Sequence, residues 1–119
     1  MSDIARIETD KRRSRAVVYN GMVFVGGMTA DDRSQDIKGQ TRQTLVKIEE
    51  FLAKAGTDKS RLLTAQIWIK DIAKDFEGMN EVWNAWTARN AAPTRATAQC
   101  DMGAPDVLVE IIVTAAVSQ

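Results

Sequence analysis

The sequence predicts an α+β fold in which two helices pack on one face of a mixed β-sheet. Strand-like and helix-like stretches follow one another along the chain in the order ββ(β)αβαββ. The strand-like stretches alternate apolar and polar side chains, whereas each helix-like stretch carries one apolar face. Because a β-α-β crossover is right-handed, both helices are expected on the same face of the sheet. With 119 residues, the chain is expected to form one domain over residues 1–119.

A β-hairpin is predicted near the N-terminus, after a short strand at 4–8. Two β-branched and aromatic runs, 16–19 and 22–25, flank the dipeptide Asn20-Gly21. Asn and Gly tolerate the positive φ angles of the type I′ turn that joins two antiparallel strands. The two glycines that follow the second run are expected to end its strand, and a polar loop is expected after them.

Two later stretches predict amphipathic helices. The first starts behind the N-cap candidate Asp36 and ends before Gly56, which gives a helix of about five turns. A strand over 62–70 follows. The second helix is expected to begin at Asp75, another residue type that favours the N-cap. Its apolar positions, expected to face the sheet, are Phe76, Met79, Val82, Trp83 and Trp86.

The last two strands, predicted over 94–102 and 107–117, carry two charged residues at informative positions. In the first, Arg95 lies on the side opposite to a face of small residues that ends at Cys100. In the second, Glu110 interrupts an apolar run. If these strands pair with each other and the small residues lie under the helices, Arg95 and Glu110 share the far face and Cys100 is buried. A far face of mixed polarity is typical of a homo-oligomer interface.

The composition excludes several kinds of chemistry. The chain has no His and one Cys, which excludes Ser-His-Asp and Cys-His catalysis, His-ligated zinc and an iron–sulfur cluster within one chain. Sixteen basic and sixteen acidic residues give no net charge, which argues against nucleic acid as the main partner. No apolar run approaches the roughly 20 residues that span a bilayer, and no signal sequence is recognisable, so a soluble cytoplasmic protein is expected.

Arg95 and Glu110 are the candidates for chemistry. A guanidinium binds a carboxylate through two parallel hydrogen bonds. Glu110, a carboxylate in an apolar strand, is suited to accept a proton or to position a water. The alternative is a structural ion pair between the two, and the sequence leaves both interpretations open. The basic cluster from Lys11 to Arg15 predicts a solvated segment, with an RNA contact as the less favoured alternative.

Several segments, in this order, carry a resemblance to a known family. They are the Asn20-Gly21 hairpin leading to Gly26-Gly27, Gln40–Gln43, Ile67–Asp71, Asp75–Asn80 with Trp83, Pro93-Thr94-Arg95 and Val109–Ile111. In these segments, over nearly its whole length, the chain resembles the Rid family, also called YjgF, of small enamine/imine deaminases. The tryptophan-rich second helix is similar to the YoaB-like branch of that family.

The resemblance implies a chorismate-mutase-like trimer, in which the mixed sheets form a central barrel and the sites lie between subunits. It implies that Arg95 binds the substrate carboxylate and that Glu110 orients water. It also implies that Asn80 and Gly27 line the site, while Thr97 stands where the family has a cysteine. The family's pocket serine is replaced by Gly26, and no aromatic side chain is present in the basic cluster to close the cleft.

The resulting expectation is a hydrolase acting on C=N bonds. It would convert reactive 2-imino acids into 2-keto acids and ammonia, without a cofactor or a metal ion, because the substrate is already activated. Two alternatives remain at this point. In the first alternative, the protein binds small carboxylates without catalysis. In the second, which has less support, it acts on RNA.

Overall fold

The computed structural model describes residues 3–117, which form a six-stranded sheet with two helices on one face. This is the α+β arrangement that the sequence predicts. A single 3₁₀ turn, Lys59–Arg61, precedes the fourth strand. The strands are β1 (Ala5–Thr9), β2 (Ser14–Tyr19), β3 (Met22–Met28), β4 (Leu62–Ile69), β5 (Thr94–Gln99) and β6 (Val109–Ala116), and the helices are α1 (Ile37–Lys54) and α2 (Ile72–Trp86).

The strand order in the sheet is β1-β2-β3-β6-β4-β5. β4 and β5 pair in parallel, and all other neighbours are antiparallel. The expectation that the last two strands pair with each other is therefore wrong, because β4 lies between them. The physical reason is the β4-α2-β5 crossover, whose right-handed connection returns β5 to the edge beside β4.

The predicted hairpin is present, and its turn has the expected geometry. Asn20 and Gly21 have φ angles of 53° and 79°, as a type I′ turn requires. The prediction that the following glycines end the strand is wrong. β3 continues through Gly26 and Gly27 to Met28, and its pairing with β6 shifts across the two glycines. They form an irregularity inside the strand, a place where glycine is common.

The first helix has the predicted caps, whereas the second begins earlier than predicted. The Asp36 side chain accepts a hydrogen bond from a backbone N–H of α1, and Gly56 lies just beyond its end with a φ of +85°. For α2 the N-cap is Asp71, because β4 ends only two residues before it. Asp75, the predicted cap, is buried in the first turn. Phe76 is 37% exposed, so the prediction that it belongs to the core is wrong.

The core fills the space between the two helices and one face of the sheet. Alternate residues of the inner strands point into it, which is the period of two expected for strands with one covered face. The buried positions are Ala65, Ile67 and Ile69 of β4, Val109, Ile111 and Val113 of β6, Leu45, Ile48 and Leu52 of α1, and Met79, Val82 and Trp83 of α2. Within residues 3–117, neither helix is both long and apolar enough to cross a membrane.

Candidate functional site

The sheet separates the two charged residues that the sequence singles out. Arg95 pairs with Ala65, which is buried under the helices, so Arg95 lies on the helix-covered face at the sheet edge. Glu110 pairs with Trp68 on the far face. The prediction that Arg95 and Glu110 share a face is wrong. It assumed that β5 pairs with β6 and that its alanines lie under the helices. The observed register with β4 instead places Arg95 and Thr97 on the helix side, beside the buried Ala65 and Ile67.

Two further expectations change with this register. The structural ion pair between Arg95 and Glu110 is absent from the described chain, where neither residue has a salt-bridge partner. Cys100 does not lie under the helices. It follows the end of β5, is half-buried, and lines a cleft together with Glu110. The alanines of β5 accordingly lie on the far face and make that face more apolar than predicted.

Arg95 is held by two side chains of α2. Its Nη1 donates a hydrogen bond of 2.7 Å to Oδ1 of Asn80, and its Cζ lies 5.7 Å from the ring centroid of Trp83. Asn80 and Trp83 are three positions apart on the helix and therefore lie on the same side of it. Partial burial lowers the pKa of Arg95, but a guanidinium remains charged at neutral pH. The site thus presents a fixed cation that lacks an anionic partner among the described residues.

Thr97 lies on the same face as Arg95, two residues further along β5 and paired with Ile67. Its Oγ1 is buried and has no hydrogen-bond partner in the part of the chain that the structure describes. A buried hydroxyl without a partner is uncommon, because the lost hydration is not replaced. Arg95, its partner Asn80 and Thr97 therefore lie on the helix-covered side of the sheet, and Glu110 lies on the other side.

Glu110 lies against the backbone of β3 at Gly27. A Cβ atom added to Gly27 would overlap Oε2 of Glu110 and would lie 3.0 Å from its Cδ. Glycine at this position therefore makes room for the carboxylate. Burial raises the pKa of Glu110, and the positive charge of Arg13 partly offsets this effect. Of the residues that the sequence predicts for the site, Gly27 is the one that lies next to Glu110.

A cleft of about 400 Å³ opens beside Glu110 on the far face. Trp68 and Ala98 contribute apolar walls, and Cys100 and Asp101 lie in the loop that bounds it. This volume is within the range of small-molecule sites. No cluster of metal-ligating side chains occurs in residues 3–117. The cleft offers a partly desolvated carboxylate next to an apolar wall, which suits proton transfer to or from a small ligand.

Sequence reasoning missed two contributors to these groups. The sequence predicts a core position for Trp83, and in the structure its ring also contacts Arg95. The sequence predicts a solvated segment around Arg13, and in the structure the charge of Arg13 lowers the pKa of Glu110. The spacing of three residues between Asn80 and Trp83 places them on one side of α2, and this signal in the sequence could have indicated that Trp83 lies near the site. Nothing in the local sequence indicates the role of Arg13, because Arg13 lies between β1 and β2, far from Glu110 along the chain.

The protein is a small α+β protein with both helices on one face of its sheet. Each face carries one candidate ligand-binding group, which is centred on Arg95 on the helix side and on Glu110 on the far side. Residues 3–117 match the family described as Endoribonuclease L-PSP. The chain belongs to this family, which is also known as the YjgF or Rid family. The resemblance seen in the sequence is therefore confirmed.

Relatives and solved structures agree over almost the whole chain. A RutC family protein of Haemophilus ducreyi is 40% identical over 115 residues, which are 97% of each chain. The RutC family protein YoaB of Escherichia coli is 37% identical, over 96% of this chain and 98% of its own. The crystal structure of NMB1025, a YjgF family member from Neisseria meningitidis, matches with a TM-score of 0.94 at 36% identity, covering 98% of this chain and 97% of that one.

Proposed function

We propose that the protein hydrolyses 2-imino acids to 2-keto acids and ammonia, at sites formed between copies of the chain. The observation that carries the proposal is the separation of two groups on opposite faces of one sheet. Arg95 is a fixed cation, and Glu110 is a partly desolvated carboxylate. Neither has an ionic partner in the described chain. If one substrate contacts both groups, they must come from two copies.

The far face of the sheet supports such an assembly. Phe24 is 44% exposed and Trp68 is 37% exposed, and Ile112 lies between them on the same face. Large apolar side chains grouped on one face mark interaction surfaces in soluble proteins. We propose a homotrimer in which the sheets face inward as a barrel. The edge strand β5, with Arg95, would then lie against the far face of the neighbouring copy, which carries Glu110.

The proposed reaction needs only side chains and water. The substrate carboxylate binds the free edge of the Arg95 guanidinium, while Asn80 holds the other side. Glu110 accepts a proton from a water whose oxygen attacks C2, and the C=N double bond becomes a single bond in a carbinolamine. Transfer of that proton to nitrogen gives an amino group. Glu110 then takes the hydroxyl proton of the carbinolamine as the C=O bond forms and delivers it to nitrogen, so that the C–N bond breaks, ammonia leaves and Glu110 is ionised again. Thr97 and the Gly27 backbone contribute to substrate binding.

The first test is the decay of 2-iminopropanoate, generated in the assay by an amino-acid oxidase. Wild-type protein should accelerate the decay, and Arg95→Ala should remove the acceleration. Arg89→Ala is the matched control, because Arg89 is also an exposed arginine but lies outside the two groups. Decay at the same rate with wild type and without protein would refute the enzymatic function.

A complementation experiment tests the composite site. Arg95→Ala and Glu110→Gln chains are unfolded together in equal amounts and refolded. With random mixing, about one quarter of the interfaces combine an intact Arg95 with an intact Glu110, so about one quarter of the wild-type activity should return. Each variant refolded alone is the control. If both groups of a site belonged to one chain, every site would lack one of them and no activity would return.

A second candidate function follows from the family description, which names an endoribonuclease. Lys11 and Arg12 are exposed at the turn between β1 and β2, where phosphate groups could reach them. RNA binding that falls steeply with salt and is lost in the Lys11→Glu/Arg12→Glu variant would favour this function. Ligand-dependent stabilisation by carboxylates, without imine turnover, would instead favour the non-catalytic binder.

A further inference from the structure

Arg95 lies at one end of a row of four neighbouring side chains. Trp83 stands next to it, with its ring centroid 5.7 Å from the guanidinium carbon. The Trp86 ring follows at a centroid distance of 5.4 Å and an interplanar angle of 45°. The ammonium of Lys59 closes the row 5.2 Å from the Trp86 centroid. Two cations therefore flank a tilted pair of tryptophans.

The row is anchored to both helices. Trp83 is only 5% exposed and belongs to the core, so its ring cannot turn away without disturbing the packing. The indole N–H of Trp86 donates a hydrogen bond of 3.0 Å to Oε2 of Glu49 on α1. Lys59 also donates to the backbone oxygen of Trp86 at 2.6 Å. The aromatic support behind Arg95 is thus a rigid part of the fold.

Arg95 needs such support, because it projects from an edge strand. A long, exposed side chain loses conformational entropy whenever it is fixed for binding. The hydrogen bond to Asn80 fixes one nitrogen, but rotation about that contact would still be allowed. The Trp83 ring adds a cation–π contact, with its centroid 5.7 Å from Cζ of Arg95, and a contact through the face of a guanidinium leaves its N–H edge free to donate hydrogen bonds. An open edge is the part that binds a carboxylate bidentately.

We infer that Trp83 is a positioning residue that orients Arg95 for carboxylate binding, with Trp86 and Glu49 as its support. The inference rests on the proposed function in one respect, the assignment of Arg95 as the carboxylate site. It adds that the aromatic side chains of α2 do more than pack the core: they set the affinity for the acid group of the substrate.

The test uses pyruvate, the keto acid formed from 2-iminopropanoate, as a ligand in titration calorimetry with the full chain. Trp83→Leu should weaken pyruvate binding by about 3- to 30-fold, the range expected for a partly desolvated cation–π contact. Trp83→Phe, which keeps an aromatic face, should recover most of the affinity. Thermal unfolding of each variant measures the loss of core packing separately.

A second measurement reports on orientation directly. The ¹⁵N relaxation of the Arg95 Nε–H group, identified by its disappearance in Arg95→Gln, should indicate a rigid side chain in wild type and Trp83→Phe. It should indicate a mobile one in Trp83→Leu. Wild-type affinity for pyruvate in Trp83→Leu, or an Arg95 side chain that stays rigid there, would overturn the inference.

The outcomes separate this inference from the proposed function. If wild type binds pyruvate and the Trp83 variants behave as expected, but imine decay is not accelerated, only the enzymatic function fails. If imine decay is accelerated and Trp83→Leu binds pyruvate normally, only the role of Trp83 fails. No pyruvate binding by wild type would overturn the inference, whereas the imine-decay assay alone decides the enzymatic function.

Discussion

Replacing Gly27 by Ala should slow catalysis strongly while leaving the fold intact. The new methyl group would overlap Oε2 of Glu110 and would lie 3.0 Å from its Cδ. The carboxylate must therefore move by about 1 Å or more, and a displacement of that size at a reacting group costs on the order of 10²-fold in rate. We expect kcat for 2-iminopropanoate hydrolysis to fall by about 10²-fold.

The stability of this variant should change little. Gly27 does not have a positive φ, so alanine fits its backbone conformation without strain. The group that must move is the end of a flexible side chain, and alanine lowers the entropy of the unfolded chain by about 0.4–1 kcal/mol in favour of folding. We expect the free energy of unfolding to stay within about 1 kcal/mol of wild type, measured by urea denaturation.

Gly26→Ala is the matched control for this prediction. A Cβ atom at Gly26 would lie 3.4 Å from the backbone oxygen of Arg15, which is an ordinary contact, and it would not approach Glu110. Its activity should remain near that of wild type. Wild-type kcat in Gly27→Ala would refute the reasoning, because it would mean that the carboxylate position is not needed for the reaction.

Three other predictions follow from single contacts. Arg13→Gln removes the charge that lowers the pKa of Glu110, so that pKa should rise. Because Glu110 must be ionised to accept a proton, the acidic limb of the kcat/KM–pH profile should move to higher pH. An unmoved limb would contradict this prediction. Gln40 is fully buried, and its Oε1 accepts a hydrogen bond of 2.9 Å from the backbone N–H of Leu108. Gln40→Leu should therefore lower the free energy of unfolding by about 1–3 kcal/mol in urea denaturation, and an unchanged midpoint would speak against a structural role. Ile112→Lys puts a charge on the far face and should reduce the sedimentation mass to that of one 13.1 kDa chain, whereas an unchanged oligomer would place the interface elsewhere.

Much of the fold could be predicted from local sequence. The Asn20-Gly21 turn and the caps of α1 depend on conformational preferences of the residues themselves, which act within a few positions. The alternation in β6 also indicates correctly that Glu110 faces away from the helices, because its neighbours on either side are strongly apolar. For the same reasons the two components of the candidate site, Arg95 and Glu110, could be chosen from the sequence.

Only the tertiary structure decided how these two residues are related. Alternation within β5 shows that Arg95 and Thr97 share a side, but neither side of this edge strand is apolar enough to indicate which one faces the helices. That choice depends on the strand that pairs with β5, and strand pairing is set by contacts between distant parts of the chain. In the register that forms, Arg95 pairs with the buried Ala65 and Glu110 pairs with the exposed Trp68, so Arg95 and Glu110 are on opposite faces. The sequence by itself determined the chemical groups, and the pairing register of the strands, which depends on distant parts of the chain, determined that they lie on opposite faces of the sheet.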